Sequence, residues 1–409
     1  MVTLSIKYRL YPTQAQETKL LRTLDICRHV YNSLLLERTA LYEISKTSPS
    51  LYGQHASVKL WKDSHEELKT VHSQVLQNVA VRVDLAFKAF FRRVKAGETP
   101  GYPRFKGRGT YDSITFPQAP SGCRLVGSAL RVSKIGDIAC QVHRPLEGIL
   151  KTGTLRRRGH KWFVCFSVER VPEALPPSVE IVGIDVGIKT FAALSDGSFI
   201  ENPKFFRTEE AALARVQQRK ERGAKKPGTK QRNRCGKRKH LATKASLSRA
   251  VSRVHERIKN RRHEFAHQLS RKLVGQYGVI AVEKLTVKNM TRRPRPVPDP
   301  NNACQFLPNG ASAKSGLNKS ILDAAWSQFR YCLAYKAENA GRELIEVNPA
   351  YTTQTCSSCG YTAKKPLKER WHHCPLCGMS LDRDTNAAFN ILNLATGCKP
   401  AVGQHSVSG

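Results

Sequence analysis

The chain has 409 residues, with 68 lysines and arginines against 32 acidic residues and a formal charge of +36, so it is long enough for two or three domains and needs no disulfide framework to fold. An imbalance of this size repels itself unless a partner neutralises it, which makes a polyanion the expected partner. No apolar run reaches transmembrane length and no signal-type segment follows MVTLSIKYRL, so no membrane role is expected and nucleic acid is the expected partner.

Eight of the twelve cysteines are scattered singly and four are grouped. That usage fits a reducing compartment in which the grouped four are metal ligands.

In chain order, VTLSIKYRLYP alternates like a strand and stops at Pro12, and TQAQ (13–16) has the form of a capping box ahead of leucines at helical spacing. Ser73 to Lys95 repeats as a second long amphipathic helix. From GETPGYPRFKGRG onward glycine and proline punctuate short alternating runs. RLVGSALRVSKIGDIACQVHR and GTLRRRGHKWFVCFSVERV are expected to be strands of a small barrel or sandwich, which the first strand could rejoin. PEALPPS is expected to be a linker.

Next, VGIDVGIKTFAALSDGSFIEN predicts three short strands in a meander. Arg219 to His240 is about half lysine and arginine, and Leu247, Val251, Val254 and Ile258 continue at helical spacing, predicting a basic helical hairpin. A helix through HEFAHQLSRKLVGQYG leads to the strand VIAVEKL. The stretch RRPRPVPDPNNACQFLPNGASAKSG predicts a long polar loop. A helix over about 320–340, the strand ELIEV, the cysteine segment and a helix over about 384–395 follow.

Cys356-x-x-Cys359 and Cys374-x-x-Cys377 can turn four sulfurs toward one point. That predicts a closed, structural zinc site, with His372 and His373 outside the coordination sphere. Asp185 interrupts an apolar strand, Glu283 closes another, and Asp382 and Asp384 begin the last helix. Each has an ordinary explanation alone: an ion pair, a strand-end charge or a helix cap. Together, in so basic a chain, they have the arrangement of a ribonuclease-H-like fold in which acids converge on two divalent metals. The residues by themselves do not choose between Asp382 and Asp384.

GIDVGIKTFAALSDG, VIAVEKL and CSSCG…CPLCG…DRDTNAAFNI resemble the RuvC-like nuclease of the TnpB (OrfB) family, transposon-encoded proteins related to type V CRISPR effectors, and YRLYPT, LQNVAVRVDLAFKAFF and GYPRFKGRG resemble its amino-terminal pattern. The resemblance implies an α+β multidomain chain. A β-barrel wedge domain (1–12 and 101–175) carries a helical recognition insert (13–100). A RuvC-like nuclease (180–350 and 381–396) contains a basic helical insert (206–262) and an inserted zinc ribbon (351–380), and a disordered tail (397–409) follows. It implies a catalytic triad of Asp185, Glu283 and Asp384 on two Mg²⁺ ions, one structural Zn²⁺ on Cys356, Cys359, Cys374 and Cys377, and Arg383 and Asn386 near a phosphate. It further implies nucleic-acid contacts at Tyr52, Gln77, Asn78, Arg104 and Lys106, alongside the basic run with Lys225, Lys226, Arg232 and Arg234. The implied activity is Mg-dependent, RNA-guided cleavage of double-stranded DNA by a monomeric protein carrying a guide RNA from the transposon end, in the cytoplasm and on the nucleoid. A non-catalytic RNA-guided regulator and a DNA transposase are the alternatives.

Overall fold

A computed structural model describes residues 1–224, 244–300, 302–366 and 369–398. The chain divides into two compact units, Met1–Val171 and Pro172–Gly409. Among the described residues no helix is long and apolar enough to cross a membrane.

In the first unit, β1 (Val2–Tyr11) leads into the helices α1 (Gln14–Ser45), α2 (Leu51–Ser64), α3 (Glu66–Lys69) and α4 (Ser73–Lys95). The capping box at Thr13 is present: its side chain accepts from the Gln16 amide, and the Gln16 side chain accepts from the Thr13 amide. The chain then forms β2 (Ser113–Phe116), the short helix α5 (Ala119–Gly122), β3 (Cys123–Val126), β4 (Ala129–Val132), β5 (Gly136–Gln141), β6 (Ile149–Arg158) and β7 (Lys161–Arg170). These pair antiparallel in the order β2-β6-β7-β1-β5-β4-β3, so the first strand does rejoin the sheet and lies at its centre.

The outer strands β2 and β3 are joined by the six residues 117–122, which reach at most about 20 Å. The sheet must therefore curl until its edges approach each other. A Cβ on Gly153 of β6 would lie 3.2 Å from the Cys123 sulfur of β3, a tight contact that the glycine avoids where the edges approach. Helices and sheet share one core: Leu20, Leu34, Leu76 and Val83 pack with Tyr8, Phe116, Trp162 and Phe166.

The second unit is built on the sheet β10-β9-β8-β11-β14. Its strands are β8 (Ile181–Val186), β9 (Thr190–Leu194), β10 (Phe199–Glu201), β11 (Val279–Glu283) and β14 (Glu343–Val347). The first three form the expected antiparallel meander, while β11 runs parallel to both β8 and β14. The segment 172–178 has no regular structure but is tied down, since the Leu175 amide donates to the Ala340 carbonyl.

Among the described residues two helices lie between β10 and β11: α6 (Phe205–Ala224) and α7 (Lys244–Gln276). They pair through Leu213, Val254 and Ile258. The helix expected over HEFAHQLSRKLVGQYG is the second half of α7, where Ala266, Leu269 and Leu273 turn onto the sheet. Asp323, buried, accepts from the amides of Phe206 and Arg207 and from the Arg262 guanidinium, which pins the base of the pair.

Two expectations need correction. The stretch after Met290 is not one polar loop. The turn α8 (Val287–Met290) precedes it, and the stretch itself holds a hairpin of β12 (Val297–Asp299) with β13 (Asn302–Leu307) and the start of α9 (Ala311–Ala324). The helix expected over 320–340 is likewise two helices, because Ala325 takes φ 56° and ψ 38° and breaks the ladder between α9 and α10 (Trp326–Ala340). After β14 come the short strands β15 (Trp371–His373) and β16 (Ser380–Asp382), then α11 (Arg383–Thr396).

Candidate functional site

Alternation along β8 and β11 sorts their side chains onto two faces. Val182, Ile184, Ile280 and Val282 join the core formed with α7 and α10. Gly183, Asp185, Ala281 and Glu283 point to the other face, where α11 lies. A Cβ on Gly183 would come 2.1 Å from the Ala388 carbonyl oxygen, and Ala281 packs with Ile391. Small residues at 183 and 281 therefore let α11 settle directly on the strands, and the carboxylates stand one pleat further along. Because the strands are parallel and Val282 pairs with Ile184, Asp185 and Glu283 are neighbours at the same end of the sheet. Asp384, in the first turn of α11, is carried to that end.

The electrostatics record this convergence. Asp185 is buried, and its carboxyl is pushed up to about 8, first by burial and then by the negative charges of Glu283 and Asp384, with Arg383 opposing and Asp382 adding. Burial also raises Glu283, against which the Thr352 hydroxyl acts. Thr352 Oγ1 donates to Glu283 Oε1 at 2.6 Å. Arg383 Nε lies 3.6 Å and Arg370 Nη1 3.9 Å from the Asp384 carboxylate. Mutually repelling acids that are partly shielded from water are costly to ionise together, which is the electrostatic mark of a functional-site candidate.

The two aspartates differ in their surroundings. Asp382 is the N-cap, its carboxylate accepting from the amides of Asp384 at 2.9 Å and Thr385 at 3.2 Å. One of its oxygens, Oδ1, is turned back on its own helix.

The four cysteines form one cluster. Their sulfurs lie within 4.8 Å of one another, and among the described residues no other group of three or more metal-binding side chains is gathered so tightly. Cys356 to Cys377 is 3.6 Å and Cys359 to Cys374 is 3.5 Å. A tetrahedral zinc ion with bonds of about 2.3 Å sets sulfurs about 3.8 Å apart, so the four fit that ion and are too far apart for disulfides. Burial pushes the Cys374 thiol up, but the amides of Cys377 and Leu376 and the thiols of Cys359 and Cys377 bring it down to about 7. Burial raises Cys356 and Cys359. Binding a divalent cation would favour the thiolate forms that such ligands require. His372 stands apart from this group, its Nδ1 3.0 Å from Lys365 Nζ.

Asn386 does not face a phosphate. It is fully buried, its side chain accepting from the Ser357 amide and donating to the Thr355 carbonyl. Asn390 donates to the carbonyls of Thr352 and Thr355, and Asn393 to that of Ser357. This row at i, i+4 and i+7 of α11 grips the backbone around the first cysteine pair. A polar stripe on the inward face of a helix was the available signal for it. Thr352 had none, since its partner is 69 residues away.

Of the expected nucleic-acid contacts, Tyr52 is 84% exposed, and Gln77, Arg104 and Lys106 are exposed. Asn78 instead accepts from Arg82, which continues to Ser113 and Thr115, so it joins α4 to the sheet. Lys225, Lys226, Arg232 and Arg234 lie outside the described residues.

A five-stranded mixed sheet with acids on its first and fourth strands and at the start of a late helix has the arrangement of a ribonuclease-H-like domain, here with a cysteine cluster inserted between the last strand and that helix. Residues 163–293 match the family model described as "Probable transposase", residues 326–391 match "Cas12f1-like, TNB domain", and residues 1–47 match "Helix-turn-helix domain". In this chain that last segment is a strand and one 32-residue helix. The chain is 32% identical to the Escherichia coli K12 protein "Putative RNA-guided DNA endonuclease InsQ", over 95% of this chain and 91% of that one. It is 33% identical to a Streptomyces pristinaespiralis protein named "Putative RNA-guided DNA endonuclease", over 95% and 88%. The solved Cas12f1–sgRNA–target DNA complex shares the fold, with a TM-score of 0.56 at 13% identity, covering 96% of this chain and 99% of that one. The chain belongs to the TnpB (OrfB) family.

Proposed function

We propose that the chain is an RNA-guided DNA endonuclease of an insertion-sequence transposon, with Asp185, Glu283 and Asp384 as its catalytic carboxylates. What carries this reading is the convergence of three partly buried acids at one end of a sheet in a chain of charge +36. Two Mg²⁺ ions, when bound, would supply an activated water and neutralise the leaving oxygen of a phosphodiester. The protein's share of that work is to hold the three carboxylates in register. Asp185 and Glu283 are fixed by parallel strands, and Asp384 by a helix seated on Gly183. Arg383 and Arg370 beside Asp384 offer positive charge to the incoming phosphate.

One Zn²⁺ on Cys356, Cys359, Cys374 and Cys377 holds the ribbon that α11 grips. The guide RNA comes from the transposon end, pairs with the target DNA and thereby reads its sequence, while the protein contacts backbones and a short adjacent duplex motif. Exposed Tyr52, Gln77, Arg104 and Lys106 are contacts of that kind. The protein acts as a monomer in its RNA complex, in the cytoplasm and on the nucleoid.

The test is cleavage of a target plasmid by the purified RNA complex in Mg²⁺. Wild type cuts both strands, while Asp185→Ala and Glu283→Ala do not cut yet still bind the target. Equal cutting by all three would sink the assignment. The family description "Probable transposase" supports a second reading, strand transfer without RNA. Sequencing the RNA that copurifies separates the two, since a transposase has no use for it.

A further inference from the structure

Glu283 stands at the last position of β11 on a side chain with three torsions, so the strand fixes its Cα but not its carboxylate. Among the described residues one short contact does: the hydroxyl of Thr352, at 2.6 Å. Thr352 is 3% exposed, and its hydroxyl has one other acceptor nearby, the Pro349 carbonyl at 3.2 Å. Its backbone is fixed in turn. Asn390 donates to the Thr352 carbonyl at 2.8 Å, and the same nitrogen and Asn386 reach the Thr355 carbonyl, immediately before Cys356. A continuous path of hydrogen bonds thus runs from the cysteine cluster through α11 to Glu283, and the helix that anchors it also carries Asp384.

We infer that Thr352 is a positioning residue that locks the Glu283 carboxylate in the orientation that receives an ion, and that the cysteine ribbon serves to hold Thr352 there. The inference rests on the reading of Asp185, Glu283 and Asp384 as the ion-binding acids. A carboxylate free to rotate must be ordered each time an ion binds, whereas a hydrogen-bonded one is already aimed. The ribbon, which does no chemistry itself, then acts on the reaction through one hydroxyl.

Two substitutions separate the hydroxyl from the shape. Thr352→Val keeps the volume and β-branching and loses the donor, while Thr352→Ser keeps the donor and loses the methyl group. In the purified RNA complex, Fe²⁺ substituted for Mg²⁺ cuts the protein backbone next to its binding site in the presence of ascorbate and peroxide. The Fe²⁺ concentration giving half of that cutting near residues 185, 283 and 384 reads occupancy without reference to DNA cleavage. Thr352→Val should raise it about tenfold, with Thr352→Ser within about twofold of wild type and zinc content and guide RNA unchanged in both. Equal values for valine and wild type, or equal shifts for valine and serine, would overturn the inference. Should the valine variant lose zinc or fail to fold, Thr352→Ala takes its place against serine at matched zinc content, with the same two outcomes. If Asp185→Asn leaves the local cutting at its wild-type level, the ion-binding reading fails instead, and the two failures stay distinguishable.

Discussion

Asp185 lies buried under α11 beside two further acids, and that placement makes its behaviour depend on pH. Its carboxyl titrates near 8 in the folded chain, against about 4 when unfolded. The folded state therefore holds a proton that the unfolded state has released, and metal-free stability must fall as pH rises between those values. In EDTA the melting temperature should drop from pH 6 to pH 8, and Asp185→Asn should flatten that slope and raise the melting temperature at pH 8 while abolishing cleavage. With saturating Mg²⁺ that slope should flatten, because ions hold the site deprotonated and the folded state then carries no more protons than the unfolded one. A melting temperature in EDTA that rises with pH would refute this account. At the same scale, Asp382 and Asp384 should separate cleanly. Asp382→Ala loses a cap and about 1 kcal/mol of stability but keeps cutting, whereas Asp384→Ala keeps the fold and loses cutting.

At the scale of elements, the site depends on how closely α11 can approach the sheet. The Cβ of an alanine at 183 would meet the Ala388 carbonyl oxygen at 2.1 Å and the Leu392 amide nitrogen at 2.9 Å, both parts of a backbone that cannot swing aside. Gly183→Ala should therefore push α11 off β8, cost roughly 1–3 kcal/mol and carry Asp384 away from Asp185. Denaturant unfolding and cleavage, measured together, should both suffer, and an alanine variant of wild-type stability and activity would contradict the packing described. Element identity was largely readable from periodicity: the helix at 73–95, the meander and the capping box at Thr13 formed where local pattern and local chemistry agreed. The break at Ala325 and the hairpin β12–β13 were not. Ala325 carries no turn signature, so tertiary packing overrode the local preference there, whereas the Asp-Pro-Asn-Asn between the two strands is a turn signal hidden in the proline- and asparagine-rich composition of that stretch.

For the whole molecule, charge and metal set the conditions of stability and assembly. A chain of +36 that neutralises nucleic-acid phosphates releases counterions, so affinity for guide RNA should fall steeply with salt and appear as a negative linear slope of log K against log salt. The cysteine ribbon has little core of its own: among the described residues, Met379 is the one apolar side chain packed against its buried cysteines. Its folding free energy is then chiefly metal binding. Cys374→Ser should lower zinc content and folded yield together, and a zinc-free variant of full stability would be inconsistent with a structural ion.

Composition, cysteine spacing and the placement of acids in apolar strands were enough to identify a nucleic-acid partner, a four-thiolate cluster and a set of candidate carboxylates, because each is a local cost that only a ligand relieves. What required the tertiary structure was everything that depends on which face meets which. It decided that Gly183 and Ala281 admit α11, that Asp382 caps while Asp384 faces the other acids, and that Asn386 serves the cysteine ribbon. It also brought Thr352 to Glu283 across 69 residues of chain. Such pairings leave no trace in spacing, because they are set by how helices and strands pack once formed and not by the preferences of the residues that form them.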